Sequence, residues 1–201
     1  MADSRKSRIR IIGGKWRGRK LDVIDVEGLR PTPDRIRETL FNWLAARCPG
    51  AIVLDCFAGS GVLGLDALSR GASRLVALEQ QPRAVEYLRA QAQKLDPDAI
   101  DIIAGDALSS ISRLRQQFDL VFIDPPYASP ELRQQVFRQL EAGGCLQPDA
   151  RVYFEWPAAE EFVLPSRSLR WLKQKTAGQV NYAIAEWRLS RKNLAFILPG
   201  N

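Results

Sequence analysis

The chain has 201 residues, 46% hydrophobic and 26% charged, a balance that fits one globular domain or a domain with a small appendage. It contains no histidine, which excludes Ser-His-Asp and Cys-His hydrolases, His-ligated zinc or haem, and any imidazole general base. The formal charge is +6, and the excess lies early: residues 1–47 hold 12 Lys/Arg against 6 Asp/Glu, whereas the remainder holds 17 of each.

Within the first twenty residues Arg5, Lys6, Arg8, Arg10, Lys15, Arg17, Arg19 and Lys20 face only Asp3, with Trp16 interleaved. Such a patch suits a phosphate backbone, because each Lys or Arg contact releases condensed counterions. Cys48, Cys56 and Cys145 lack CxxC spacing and read as small buried side chains of a reduced, cytoplasmic protein. No apolar run approaches the ~20 residues of a membrane span. The first eight residues lack the apolar core of a secretory signal, so no membrane partner is expected.

In chain order, Arg8–Gly13 and Gly18–Ile24 read as two short strands of a hairpin. Thr32 then suits a helix N-cap, Pro33 the first helical position and Asp34 the positive end of the helix dipole. Ile36, Leu40, Trp43 and Leu44 follow helical spacing up to Pro49-Gly50. From Ala51 apolar strands alternate with helices. The strands are expected at 52–54, 75–78, 100–104, 120–123 and 151–156, the helices at 62–70, 82–94, 108–116 and 130–141. Leu169–Thr176 and Gln179–Leu189 are separated by Ala177-Gly178 and should pair antiparallel. The expected fold is an open, seven-stranded, mostly parallel Rossmann-like α/β sheet with an antiparallel edge hairpin. Residues 1–47 form a small basic N-terminal extension and 48–201 the main domain.

Gly59-Ser60-Gly61-Val62-Leu63-Gly64 matches GxGxxG between a strand and a helix. A dinucleotide fits it poorly. The first glycine does not turn directly off the strand, and Asp55 would repel a pyrophosphate. The same carboxylate suits the ammonium and sulfonium of S-adenosylmethionine. Glu79, ending the second strand of the alternating part, is placed to accept both ribose hydroxyls, and Asp106, after the third, to reach the adenine. The helix start at Thr32, beside Arg30, is a candidate site for the methionine carboxylate. The cofactor-binding set is therefore Asp55, Gly59, Gly61, Glu79, Asp106 and Thr32, and no metal is expected.

Asp124-Pro125-Pro126-Tyr127 follows an apolar strand, and its prolines stiffen the turn. An exocyclic amine is a poor nucleophile because its lone pair is delocalised into the ring. The Asp124 carboxylate and the Pro125 carbonyl can grip its N–H bonds and localise that pair, while Tyr127 stacks on the extruded base. Asp124, Pro125, Pro126 and Tyr127 are the expected catalytic residues. Spacing alone does not separate guanine from adenine.

The segments Asp55-Cys56-Phe57-Ala58-Gly59-Ser60-Gly61 and Asp124-Pro125-Pro126-Tyr127 resemble class I S-adenosylmethionine methyltransferases that modify exocyclic amines. Residues 9–19 and 29–42, with Ala177-Gly178-Gln179-Val180, resemble more narrowly the bacterial 16S rRNA guanine-N2 methyltransferases of the RsmD type. The likeness covers about residues 8 to 190. It implies a methyltransferase sheet and methylation of one guanine amine in 16S rRNA, within the small ribosomal subunit or its assembly intermediate. It also implies rRNA held by the basic hairpin, through Arg8, Arg10, Lys15, Arg17, Arg19 and Lys20. A monomer is expected. The alternatives are an adenine-N6 or protein-glutamine methyltransferase, a non-catalytic RNA-binding assembly factor, and an NAD(P) oxidoreductase.

Overall fold

The computed structural model describes residues 8–22, 32–126 and 129–188. Two three-residue strands, β1 (Arg8–Arg10) and β2 (Lys20–Asp22), pair antiparallel around a 3-10 turn at Gly14–Trp16. Helix α1 (Asp34–Trp43) follows. An alternating series then runs β3 (Ile52–Asp55), α2 (Val62–Ser69), β4 (Arg74–Glu79), α3 (Pro82–Leu95), β5 (Ile100–Ala104), α4 (Ala107–Ile111), β6 (Phe118–Ile123), α5 (Pro130–Ala142) and β7 (Leu146–Pro157). The hairpin β8 (Leu169–Ala177) and β9 (Val180–Trp187) closes the described chain.

These strands form one seven-stranded sheet in the order β5-β4-β3-β6-β7-β9-β8. The first five are mutually parallel, because helical crossovers connect them and bury both of their faces. β9 is antiparallel to both β7 and β8 and inserts between them. The reversed strand therefore lies one position in from the edge, and β8 is the edge itself. Chain order reverses between β3 and β6, the point where open α/β sheets bind ligands at the carboxyl ends of their strands.

Two apolar layers flank the sheet. One contains Val53, Leu75, Ala77, Leu120, Phe122, Tyr153, Tyr182 and Ile184 under α1, α2 and α3. The other contains Leu54, Val76, Val121, Ile123, Val152 and Phe154 under α4 and α5. Ile9, Ile11, Trp16 and Leu21 of the N-terminal hairpin belong to the first layer, so this segment packs into the core of the sheet.

Helix α2 is buried along its whole length, between the sheet and the N-terminal hairpin. Polar groups on α2 make the contact specific. Asp66 accepts from the Ile12 N–H at 2.9 Å, Ser69 Oγ accepts from the Trp16 N–H at 2.8 Å, and the Ser69 hydroxyl donates to the Gly13 carbonyl at 2.5 Å. Gly14 lies at φ 75°, and a Cβ there would sit 1.7 Å from the Ser69 carbonyl oxygen. Only glycine allows that approach. Arg37 of α1, fully buried, pairs with Asp66 and donates to the Arg10 carbonyl, joining helix, hairpin and α2.

Three expectations are corrected. Helix α1 is capped by Pro33 and begins at Asp34, with no side-chain cap from Thr32. Pro33 holds an extended ψ of 147°, and the residue before a proline is itself pushed out of helical geometry. α4 ends at Ile111, well short of 116. β7 begins five residues earlier than expected, at Leu146, through polar sequence that includes Asp149 at φ 60°.

Candidate active site

The registers arrange the expected carboxylates by geometry. Asp55 ends β3 opposite Ala77 on β4, and Glu79 stands two residues further along that strand. Glu79 pairs with Ala104, and Asp106 stands two residues beyond it. On the other side Asp55 is opposite Phe122, and Asp124 is two residues past that partner. Ile123 pairs with Phe154, which puts Asp124 level with Glu155 of β7. Each strand step is about 4.8 Å and two residues rise about 6.6 Å. Asp55 is thus the low point of a crevice, with Glu79 and Asp106 rising on one side and Asp124 and Glu155 on the other.

The glycine loop is built onto this floor. The Ala58 N–H donates to the Leu78 carbonyl, and the Cys56 N–H to the Phe122 carbonyl, tying the loop to both neighbouring strands. Glu79 accepts from the Gly59 N–H at 2.7 Å and from the Gln81 N–H at 2.8 Å, one bond on each oxygen. A carboxylate offers about four acceptor positions, so capacity for ribose hydroxyls remains. Gly61 lies at φ 76° as the residue before α2, and a Cβ there would come within 2.5 Å of Leu88. A side chain would fill the space over which the loop turns into the helix.

Asp55 is 3% exposed and receives backbone N–H bonds from Phe57 and Gly64. Burial still dominates and, with the nearby Glu79 charge, raises its carboxyl to about 7. A cation placed over it would reverse that shift. The residues present therefore fit S-adenosylmethionine: a buried acceptor for positive charge, a second carboxylate one strand away, and a tight loop leading into a helix. Asp106 uses one oxygen to cap α4, accepting from the Ser109 N–H at 3.0 Å. Thr32 is buried at the start of α1, its carbonyl accepting from Arg37 Nε at 3.1 Å.

Across the crevice Asp124 is half-buried, Pro125 buried and Pro126 exposed. Desolvation, helped by Glu155 and Asp55, pushes the Asp124 carboxyl well above the ordinary range, and Arg133 opposes the shift. Tyr127 and Arg30 lie outside the described residues, as does the side chain of Arg8. The sequence reading missed two neighbours. Glu155, 4% exposed, accepts from the Tyr153 hydroxyl at 2.7 Å. Arg133 of α5 is 1% exposed, pairs with Glu160, and among the described residues leaves Nε and Nη1 without hydrogen-bond partners. Neither has a local signature, since a charge in a strand or helix looks exposed until the fold is known.

The basic hairpin keeps its cations in solvent. Arg10, Lys15, Arg17, Arg19 and Lys20 are all exposed. Arg10 pairs with Asp34 at 3.0 Å and Lys15 with Asp96 at 3.1 Å, while Arg19 reaches the Lys94 carbonyl at 3.5 Å. Trp16 is 6% exposed, with the Lys15 ammonium 4.5 Å from its ring centroid. It is a core residue, and its interleaved position in the basic run does not make it a stacking platform.

A family model described as "Conserved hypothetical protein 95" matches residues 9–186. The chain is 42% identical over 183 residues to ribosomal RNA small subunit methyltransferase D of Escherichia coli (strain K12), covering 90% of this chain and 91% of that one. It is 40% identical to the protein of the same name from Haemophilus influenzae, over 89% and 94% of the two chains. The solved structure of the putative methyltransferase yhhF from Escherichia coli superposes with a TM-score of 0.84 at 37% identity, over 90% of this chain and 99% of the other. With this sheet order, this crevice and this extent of likeness, the chain belongs to the ribosomal RNA small subunit methyltransferase D family, the group matched as Conserved hypothetical protein 95.

Proposed function

We propose that this protein transfers a methyl group from S-adenosylmethionine to the exocyclic N2 amine of one guanine in 16S rRNA, acting on the small ribosomal subunit or its assembly intermediate. The carrying observation is that Asp124 stands two residues above the level of Asp55, with the Pro125 carbonyl next along the chain, across the strand-order reversal from the glycine loop. The relatives' names support rRNA as substrate. The choice of guanine rests on the resemblance of residues 9–19 and 29–42 to the guanine-N2 enzymes.

S-adenosylmethionine supplies an electrophilic methyl on a sulfonium. Asp55, Glu79 and Asp106 would hold the donor, and Asp124 with the Pro125 carbonyl would accept from the amine N–H bonds. That grip favours a tetrahedral nitrogen whose lone pair points at the methyl, so positioning and preorganised acceptors lower the barrier. The nitrogen would gain the methyl as the methyl–sulfur bond breaks, the sulfur leaving with that electron pair as S-adenosylhomocysteine, and would then lose a proton. The raised proton affinity of Asp124 suits it to take that proton.

Outside the sheet and its crossover helices the described residues form a short basic hairpin and helix α1, both packed on the core, which suits recognition of the folded shape of the rRNA. The protein works as a monomer in the cytoplasm. Among the described residues no helix is long and apolar enough to cross a membrane. The test is label transfer from S-adenosylmethionine to undermethylated small subunits, free 16S rRNA and DNA, read by nucleoside mass spectrometry. N2-methylguanosine on subunits or rRNA is expected. N6-methyladenine, or label on DNA alone, would overturn the substrate, and no transfer to any of them would overturn the activity.

A further inference from the structure

At the far edge of the sheet from the N-terminal hairpin, β8 carries Lys173 and Lys175, both exposed. The β8–β9 register slips by one residue between Trp171 and Lys173. Without that bulge Leu172 and Gln174 would oppose Ile184 and Tyr182. With it, Lys173 opposes Ile184 and Lys175 opposes Tyr182. Residues directly opposite in an antiparallel pair share a face, so the bulge turns both lysines to the face covered by α1.

That face leads to the reaction crevice. Lys175 opposes Tyr182, and Tyr182 opposes Glu155, the residue level with Asp124. Two strand spacings put Lys175 about 10 Å across the sheet from Glu155. β8 runs in the direction of β7, so the Gly178-Gln179 loop stands at the ligand-binding end, where Pro157 pairs with Val180. Arg35 of α1 is exposed and meets this loop, its Nη2 3.4 Å from where a Cβ on Gly178 would sit.

The charges on this hairpin are divided. Near its base Arg170 and Arg188 both pair with Glu186. Toward the tip, among the described residues, Arg35, Lys173 and Lys175 make no side-chain ion pair or hydrogen bond. Three exposed cations without carboxylate partners stand beside the crevice where an RNA strand would enter.

We propose that Arg35, Lys173 and Lys175 form a second phosphate-binding surface for rRNA, gripping the backbone next to the target nucleotide beside the β8–β9 hairpin. This rests on the rRNA reading above. Lysines on an edge strand also discourage edge-to-edge pairing, but that role asks only for charge, with no need of the bulge or of Arg35.

The test is binding of the full-length protein to undermethylated small subunits across a salt series, comparing wild type with the triple variant Arg35→Gln/Lys173→Gln/Lys175→Gln. A charge-matched control, Arg113→Gln/Arg138→Gln/Arg167→Gln, removes three exposed cations elsewhere. Each lost phosphate contact flattens the slope of log K against log salt by about 0.7, so the triple variant should be shallower by about 2, with the control close to wild type. Affinity for S-adenosylhomocysteine, measured in parallel, should be unchanged and reports an intact fold. Slopes of wild type and triple variant that coincide, or a control that falls as far, would overturn the surface while leaving the rRNA reading intact. A wild type that neither binds nor methylates subunits would overturn both.

Discussion

Burial raises the Asp55 carboxyl to about 7 against an ordinary 3.8, so near neutral pH it is divided between its two forms. A cationic ligand binds the ionised form, and its affinity should therefore weaken as the pH falls below about 7, approaching tenfold per unit, and level off above. Titration calorimetry with S-adenosylhomocysteine, which keeps the ammonium, reads this, and Asp55→Asn should weaken binding and remove the pH dependence. The same shift affects stability. Between 3.8 and about 7 the folded chain holds a proton that the unfolded chain has released. Without ligand, stability should therefore fall as the pH rises through that window, by up to about 1.4 kcal/mol per unit from this group. Denaturant titrations of wild type and Asp55→Asn isolate the contribution. At Asp124, replacement by Ala should lower kcat about 10²–10³-fold, the cost typical of one preorganised polar contact, with S-adenosylhomocysteine affinity retained. In the wild type kcat should rise with pH as Asp124 ionises and then reach a plateau.

Among the elements, α2 carries a concentration of polar contacts in the core, through Asp66 and Ser69. Asp66 is fully buried and takes Arg37, Arg70 and the Ile12 N–H. Asp66→Ala would remove the buried carboxylate from Arg37, which keeps Asp34 at 2.6 Å, and leave the Ile12 N–H unpaired, so it should destabilise by about 3 kcal/mol. Gly14→Ala should cost about 3 kcal/mol or more through strain and collision with the Ser69 carbonyl. Both are read as shifts in the denaturant midpoint, with spectroscopy separating loss of stability from loss of fold. The parallel strands and the helices between them were legible because short apolar runs bounded by Gly, Pro and Asp carry their own punctuation. The placement of Asp55, Glu79 and Asp106 was legible for a related reason: each stands at or just past the carboxyl end of a readable strand. The start of α1 was misplaced by one residue because Thr32 and Pro33 each satisfy a capping rule and only the backbone decides between them. The early part of β7 and the bulge in β8 were invisible, since both depend on a partner strand distant in sequence. Glu155 and Arg133 were missed for the same reason: the packing of other elements buries them.

Across the whole molecule the three thiols report on global opening. Cys48, Cys56 and Cys145 are buried and free, and burial raises all three, Cys48 to about 11. Labelling with a disulfide reagent at neutral pH should be at least about 10³-fold slower than for an exposed thiol, and should accelerate only with unfolding. A single fast-reacting thiol in the native protein would contradict this packing. The enclosure of α2 has a kinetic counterpart. The helix has no solvent-facing side, so its amides should exchange hydrogen only through large-scale opening, as slowly as those of β3. The Ile12 and Trp16 amides, bonded to Asp66 and Ser69, should share that slow rate although they lie in a loop between three-residue strands. The segment that bears the basic residues would then exchange on the clock of the core, and rRNA would meet a charged surface already set in place before contact.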